Sequence, residues 1–85
     1  MTYVVILLPG ASRQFLRLTR PIQERLRPPI DSLAINPRPP GVKKLKGGAG
    51  YWRIRVGDYR IIYTIQDDRL IVTVVRIGNR RDAYR

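Results

Sequence analysis

Apolar and polar residues alternate through the stretch YWRIRVGDYRIIYTI at residues 51–65, and the alternation turns about Gly57-Asp58. Successive side chains of an extended strand point to opposite faces. Two such runs joined by a glycine followed by an aspartate predict a β-hairpin closed by a tight type II′ turn. With that loop, Val56 faces Tyr59, Arg55 faces Arg60, Ile54 faces Ile61 and Arg53 faces Ile62. One face then carries Trp52, Ile54, Val56, Tyr59, Ile61, Tyr63 and Ile65, which is enough apolar area to rest on a core. The other carries Arg53, Arg55 and Arg60. Like charges directly opposite each other destabilise a strand pair, so Arg55 and Arg60 work against the hairpin unless something anionic offsets them.

The remaining pattern supplies the elements around the hairpin. Residues 3–8 are a continuous apolar run stopped by Pro9-Gly10, which predicts a buried strand. Residues 11–18 change to helical spacing, with Phe15, Leu16 and Leu18 apolar and Arg13, Gln14 and Arg17 polar. Pro21 suits the first turn of a second helix, in which Ile22, Leu26, Ile30 and Leu33 fall on one stripe. Pro28-Pro29 predicts a kink or break there. Each proline lacks an N–H and collides with the turn before it, at about 3 kcal/mol in a helix interior.

Residues 36–41 (NPRPPG) read as a turn-rich connector, and residues 42–50 (VKKLKGGAG) as a basic, glycine-rich loop carrying Lys43, Lys44 and Lys46. It is no P-loop, which needs Gly-Lys-Ser/Thr opening a helix, whereas a strand follows here. Asp67-Asp68 marks a second turn and residues 70–77 another strand, closed by Gly78-Asn79 with Arg80 beyond it on a rim. The order β-α-α-β-β-β predicts an α+β fold, with a helical hairpin packed on one face of a mainly antiparallel four-stranded sheet. The face of Arg76 depends on register, because a slip of one residue reverses every side chain.

Composition narrows what such a fold can do. A chain of 85 residues supports one domain, spanning 1–85, around a single modest core. Hydrophobic residues make up 44%, as in globular chains, yet 17 Lys+Arg stand against 6 Asp+Glu, a formal charge of +11. That excess speaks to partners: nucleic acid, an anionic membrane or an acidic protein. With no cysteine and no histidine, a disulfide framework, a thiolate nucleophile, a histidine base and a Cys/His zinc site are excluded. We expect no metal and no cofactor. The apolar opening is too short to span a membrane and lacks the positive segment of a secretory signal, so a cytoplasmic protein without a membrane partner is expected.

The arginines on the hairpin can be plain solvated cover and edge protection. The like-charge pair and the neighbouring basic loop favour an anion site instead. Arginine presents a planar fork matched to phosphate, and several together can hold a nucleic-acid backbone and stabilise charge developing on a reacting phosphate. Lys43, Lys44 and Lys46 suit steering of such a backbone. Tyr84 can pack the terminus down, stack on a base or handle a proton.

Three segments together resemble the RelE branch of the RelE/ParE toxin superfamily: K-K-L-K-G at 43–47 with Y-W-R-I-R at 51–55, G-D-Y-R-I-I-Y at 57–63, and R-I-G-N-R-R-D-A-Y at 76–84. The resemblance extends to the N-P-R of residues 36–38 and to the element order. It implies the toxin of a bacterial type II toxin-antitoxin pair that enters the ribosomal A site and cuts messenger RNA there. The implied chemistry is attack of a ribose 2′-OH on the adjacent phosphate, without metal. Arg60 then contacts the scissile phosphate, Arg80 stabilises the leaving group or transition state, and Tyr84 orients or stacks on the substrate. Arg53 and Arg55 fall where some members carry lysines, and with Lys43, Lys44, Lys46 and Arg81 would bind the RNA. Arginine does not lose its proton, so neither can be a general base. Tyr84, Asp82, Asp58 or a loop lysine remain for that role.

The resemblance further implies a cognate antitoxin that wraps the toxin with an acidic segment, besides the ribosome and mRNA as targets. A ParE-like gyrase inhibitor of the same fold is the alternative, followed by a degenerate relic that only binds antitoxin.

Overall fold

A computed structural model of the chain describes residues 2–47 and 50–79. Its elements are β1 (Val4–Leu7), α1 (Pro9–Leu16), α2 (Arg20–Ser32), β2 (Lys43–Lys44), β3 (Tyr51–Val56), β4 (Tyr59–Gln66) and β5 (Ile71–Asn79). The strands form one sheet in the order β1-β5-β4-β3-β2, antiparallel throughout except for the parallel β1/β5 pair. The α+β class and the helical pair on one face are those the sequence predicts. The sheet has a fifth strand where a loop was expected, since Lys43 and Lys44 pair with Arg53 and Trp52 along the edge.

The core lies between the helices and one face of the sheet. Ala11 and Phe15 of α1 and Leu26 and Ile30 of α2, with Leu33 just past it, pack on Ile54, Ile61, Tyr63, Val72, Val74 and Ile77. Trp52, Val56, Tyr59 and Ile65, all expected on the apolar side of the hairpin, join this cluster half-buried. The opposite face has no helix over it among the described residues. This corrects the expectation for β1. It is an edge strand rather than a buried one: Val5 and Leu7 face the core, while Val4 and Ile6 are 61% and 43% exposed.

The second correction concerns α2, which continues as one helix through Pro28 and Pro29 rather than breaking there. The carbonyls deprived of a donor are those of Glu24 and Arg25, both exposed residues, so water can satisfy them. Leu26, Ile30 and Leu33 fasten the chain on either side of the prolines. At about 1.5–3 kcal/mol for each large side chain fully buried, that anchoring offsets the local cost of the prolines.

The hairpin register is the predicted one, with Val56 opposite Tyr59 and Arg55 opposite Arg60. Gly57 takes φ +59° and Asp58 does not take a positive φ, as type II′ requires. In the β4/β5 pair, Tyr63 faces Val74 but Ile62 faces Arg76, leaving Val75 as the extra residue of a β-bulge. That bulge settles the face of Arg76. In an uninterrupted strand Arg76, two residues after Val74, would point into the core. The extra residue turns it to the face of Arg53 and sends Ile77 inward, where only 3% of it is exposed.

Candidate functional site

Register places five cationic side chains on the face away from the helices. One row across the sheet reads Lys43, Arg53, Ile62, Arg76, and the next reads Arg55, Arg60, Gly78. Neither row holds a carboxylate. The cations differ in exposure: Lys43, Arg55 and Arg76 are exposed, Arg53 is half-buried, and Arg60 is 6% exposed. The Nε atoms of Arg53 and Arg60 are both shut off from solvent. Arg60 is therefore no solvated cover. Taking a guanidinium out of water is costly, and the strand interior fixes this one in place. The arrangement is a buried cationic floor with exposed cationic arms around it. Such a site can hold a phosphate and stabilise charge growing on its oxygens; it cannot take up a proton through the arginines.

Other residues singled out in the sequence are placed differently. Lys44 lies opposite Trp52 in the register, so it belongs to the core-side face, and its Nζ sits 5.7 Å from the Trp52 ring centroid. Lys46 is exposed in the loop after β2. Asp58 is exposed at the hairpin tip. Arg80, Arg81, Asp82 and Tyr84 lie outside the described residues. The structure also adds Arg25, which sequence reasoning missed. Its Nη1 would stand 3.8 Å from a Cβ at Gly57, which puts an α2 side chain at the hairpin tip. Arg25 is a lone charge on the polar side of a helix, and no local pattern distinguishes it.

The far end of β4 is organised in the opposite way. Arg38 grips Asp67 with two hydrogen bonds, Nη1 to Oδ1 at 3.1 Å and Nη2 to Oδ2 at 2.8 Å, while Tyr3 donates its hydroxyl to Oδ1 at 2.6 Å. Arg38 also lies over the Trp52 ring, 5.1 Å from its centroid. The Arg38 hydrogen bonds, aided by that of Tyr3, lower the Asp67 carboxyl from its ordinary 3.8 to about 2. The hydrogen bond to Asp67 in turn raises both Tyr3 and Arg38. Beside this network the buried Tyr63 donates to the Pro37 carbonyl at 2.7 Å, and burial pushes its hydroxyl up to about 12. The N-P-R segment thus serves as a clamp that ties the connector to the sheet.

Among the described residues no group of three or more His, Cys, Asp or Glu is placed to hold a metal ion, and no helix is long and apolar enough to cross a membrane. Residues 5–84 match the family model of the ParE toxin of the type II toxin-antitoxin system parDE. The chain belongs to the RelE/ParE toxin superfamily. Within that family it is 30% identical over 88 residues to a RelE-like toxin protein of Escherichia coli, covering 99% of this chain and 92% of that one. It is 34% identical over 59 residues to a toxin named RelE1 of Methanocaldococcus jannaschii, 66% of each. Among solved structures, the archaeal RelE-RelB complex of Pyrococcus horikoshii superposes with a TM-score of 0.81 at 27% identity, covering 94% of this chain and 97% of that one. The chain is thus a type II toxin of RelE/ParE fold.

Proposed function

We propose that this toxin is a ribosome-dependent mRNA endoribonuclease, acting in the cytoplasm. It cleaves in the A site by attack of a ribose 2′-OH on the neighbouring phosphate, without metal. The observation that carries this reading is the arginine face, whose two register rows hold no carboxylate among the described residues, with Arg60 buried in its floor. Folding gains nothing from stacking Arg55 against Arg60, whereas a phosphate passing to a more highly charged transition state gains from both. Arg60 contacts the scissile phosphate, and Arg53, Arg55 and Lys43 neutralise the flanking backbone. Arg80 stabilises the leaving group, while Arg81 and Lys46 steer the RNA. Tyr84 orients the substrate. Alignment by ribosome and toxin together supplies the in-line geometry. The +11 charge also suits an antitoxin whose acidic segment neutralises this face, as the RelB-bound relative suggests.

The family model, described by its ParE members, favours gyrase inhibition by binding as the second reading. Purified toxin is assayed on programmed ribosomes, on free RNA and in gyrase supercoiling, with Arg60→Ala, Arg80→Ala and Tyr84→Phe beside the wild type. Ribosome-dependent cuts that vanish in both alanine variants are expected. Intact messenger with supercoiling blocked would move the protein to the ParE-like class.

A further inference from the structure

Gly78 sits within β5 directly across from Arg60. It does not take a positive φ, and a Cβ built on it meets no heavy atom of the described residues within 4 Å. Neither backbone conformation nor packing asks for glycine there, and glycine inside a strand weakens it. Its effect is to leave the sheet surface bare beside a buried guanidinium, which is where another backbone can approach closely.

Gly78 also lines a hollow of about 340 Å³ between the end of α1 and the tail of β5. It exists because β1 stops early. Leu8 N–H bonds the Val74 carbonyl, and beyond that point Gln14 Oε1 replaces a strand by accepting the Ile77 N–H at 2.8 Å. Arg17 at the end of α1 and Arg76 on β5 line the hollow from two sides, with Tyr59 and Asn79 completing it and no carboxylate among the lining residues. Its volume is at the small end of ligand pockets, about 300–1,000 Å³.

We infer that this hollow is a subsite for the nucleotide adjoining the scissile phosphate: the RNA backbone crosses the bare surface at Gly78, and Arg17 and Arg76 take the next phosphate. The subsite rests on the ribonuclease reading above and gives it a direction, from Arg60 toward the end of α1. Guanidinium forks are matched to phosphate, and Tyr59, Gln14 and Asn79 offer the mixed surface that a sugar and base need.

Gly78→Val fills the bare surface with a residue that suits a strand, so the melting temperature holds or rises. Single-turnover cleavage on programmed ribosomes is expected to fall about a hundredfold, the scale of a 1 Å misplacement of the reacting groups. The double variant Arg17→Ala/Arg76→Ala raises the half-saturating toxin concentration about tenfold. It also lowers the slope of log K against log salt for a short single-stranded RNA by about 0.7 for each phosphate contact removed. Arg17→Lys/Arg76→Lys restores that slope, which a merely structural defect would not allow. If the wild type cleaves and both the valine and double-alanine variants match it, the subsite is overturned and the ribonuclease reading stands. If the wild type does not cleave, both fall. Loss of antitoxin affinity in the double-alanine variant with cleavage unchanged would give the hollow to the antitoxin and overturn the subsite.

Discussion

The two ends of β4 carry the same kind of side chain and treat it in opposite ways. Near Gln66, Arg38 is chelated by Asp67, capped by Tyr3 through the shared carboxylate, and stacked on Trp52. Near Tyr59, roughly 20 Å away at about 3.4 Å per residue, Arg60 lies in the strand interior with Arg55 as its cross-strand neighbour and no carboxylate in its row. One end is neutralised within the fold. The other gathers five cations on one face, with Asp58 exposed at the hairpin tip beside them, and in a chain with only 6 acidic residues the placement of each carboxylate matters. The clamp end neutralises its arginine within the fold, whereas the arginine end gathers cationic side chains in register rows that hold no carboxylate among the described residues.

Giving the arginine end its own carboxylate breaks the contrast most strongly. Ile62 lies between Arg53 and Arg76 in the register, so Ile62→Glu pairs with both. Two charge-assisted contacts of about 1.5–3 kcal/mol each are then diverted from RNA, and RNA affinity, measured by anisotropy, drops about a hundredfold or more. Thermal stability is expected to rise, by about 0.2–1 kcal/mol per new pair. Lower stability together with unchanged RNA affinity would end the idea that the face is poised for an anion.

Cutting the clamp has the reverse signature. Tyr63→Phe leaves the Pro37 carbonyl without its buried donor, costing about 1–2 kcal/mol, or some 4–8 °C of melting temperature per kcal/mol in a domain this small. The cleavage rate stays near wild type. A thermal melt beside the ribosome assay separates the two effects.

At the arginine end, Lys43→Ala and Arg55→Ala remove exposed arms, and each is expected to lower the salt slope of RNA binding by about 0.7. A slope unchanged in both would mean that the RNA path runs elsewhere.

The smallest effects come from pH. Asp67 titrates lower in the folded state than in the unfolded one, so its stabilisation is complete above 3.8 and is lost as pH falls from there to about 2. Asp67→Asn should remove that limb from a stability profile. The Tyr63 hydroxyl is raised in the folded state, so stability declines as pH climbs from 10 to about 12. Tyr63→Phe should flatten that decline, as followed by chemical denaturation.

How much of the fold the sequence reveals depends on the range of the forces involved. The hairpin was legible because a two-residue turn fixes register, and register fixes which side chains share a face. Arg53, Arg55 and Arg60 follow from that alone. The bulge at Val75 leaves no mark in composition, so the side of Arg76 was open until the β4/β5 pairing was seen. The continuation of α2 as one helix reflects burial of Leu26, Ile30 and Leu33 against distant strands, which outweighs the local signal of Pro28-Pro29. An unbroken apolar run does not say whether its strand is central or at an edge, hence the exposed Val4 and Ile6. The burial of Arg60 was likewise hidden, because charge type suggests solvent and only the surrounding strands exclude it.

Arg60 is expected to serve RNA chemistry rather than the fold, and one pair of readings on one variant tests this. Arg60→Met keeps the volume of the side chain and removes its charge. We expect ribosome-dependent cleavage to fall about 10²–10³-fold, as when one preorganised transition-state donor is lost. The melting temperature should hold or rise, because a buried charge has been exchanged for an apolar group. Cleavage near the wild-type rate, or a collapse of the melting temperature, would show that Arg60 is there to hold the sheet together and would contradict the account.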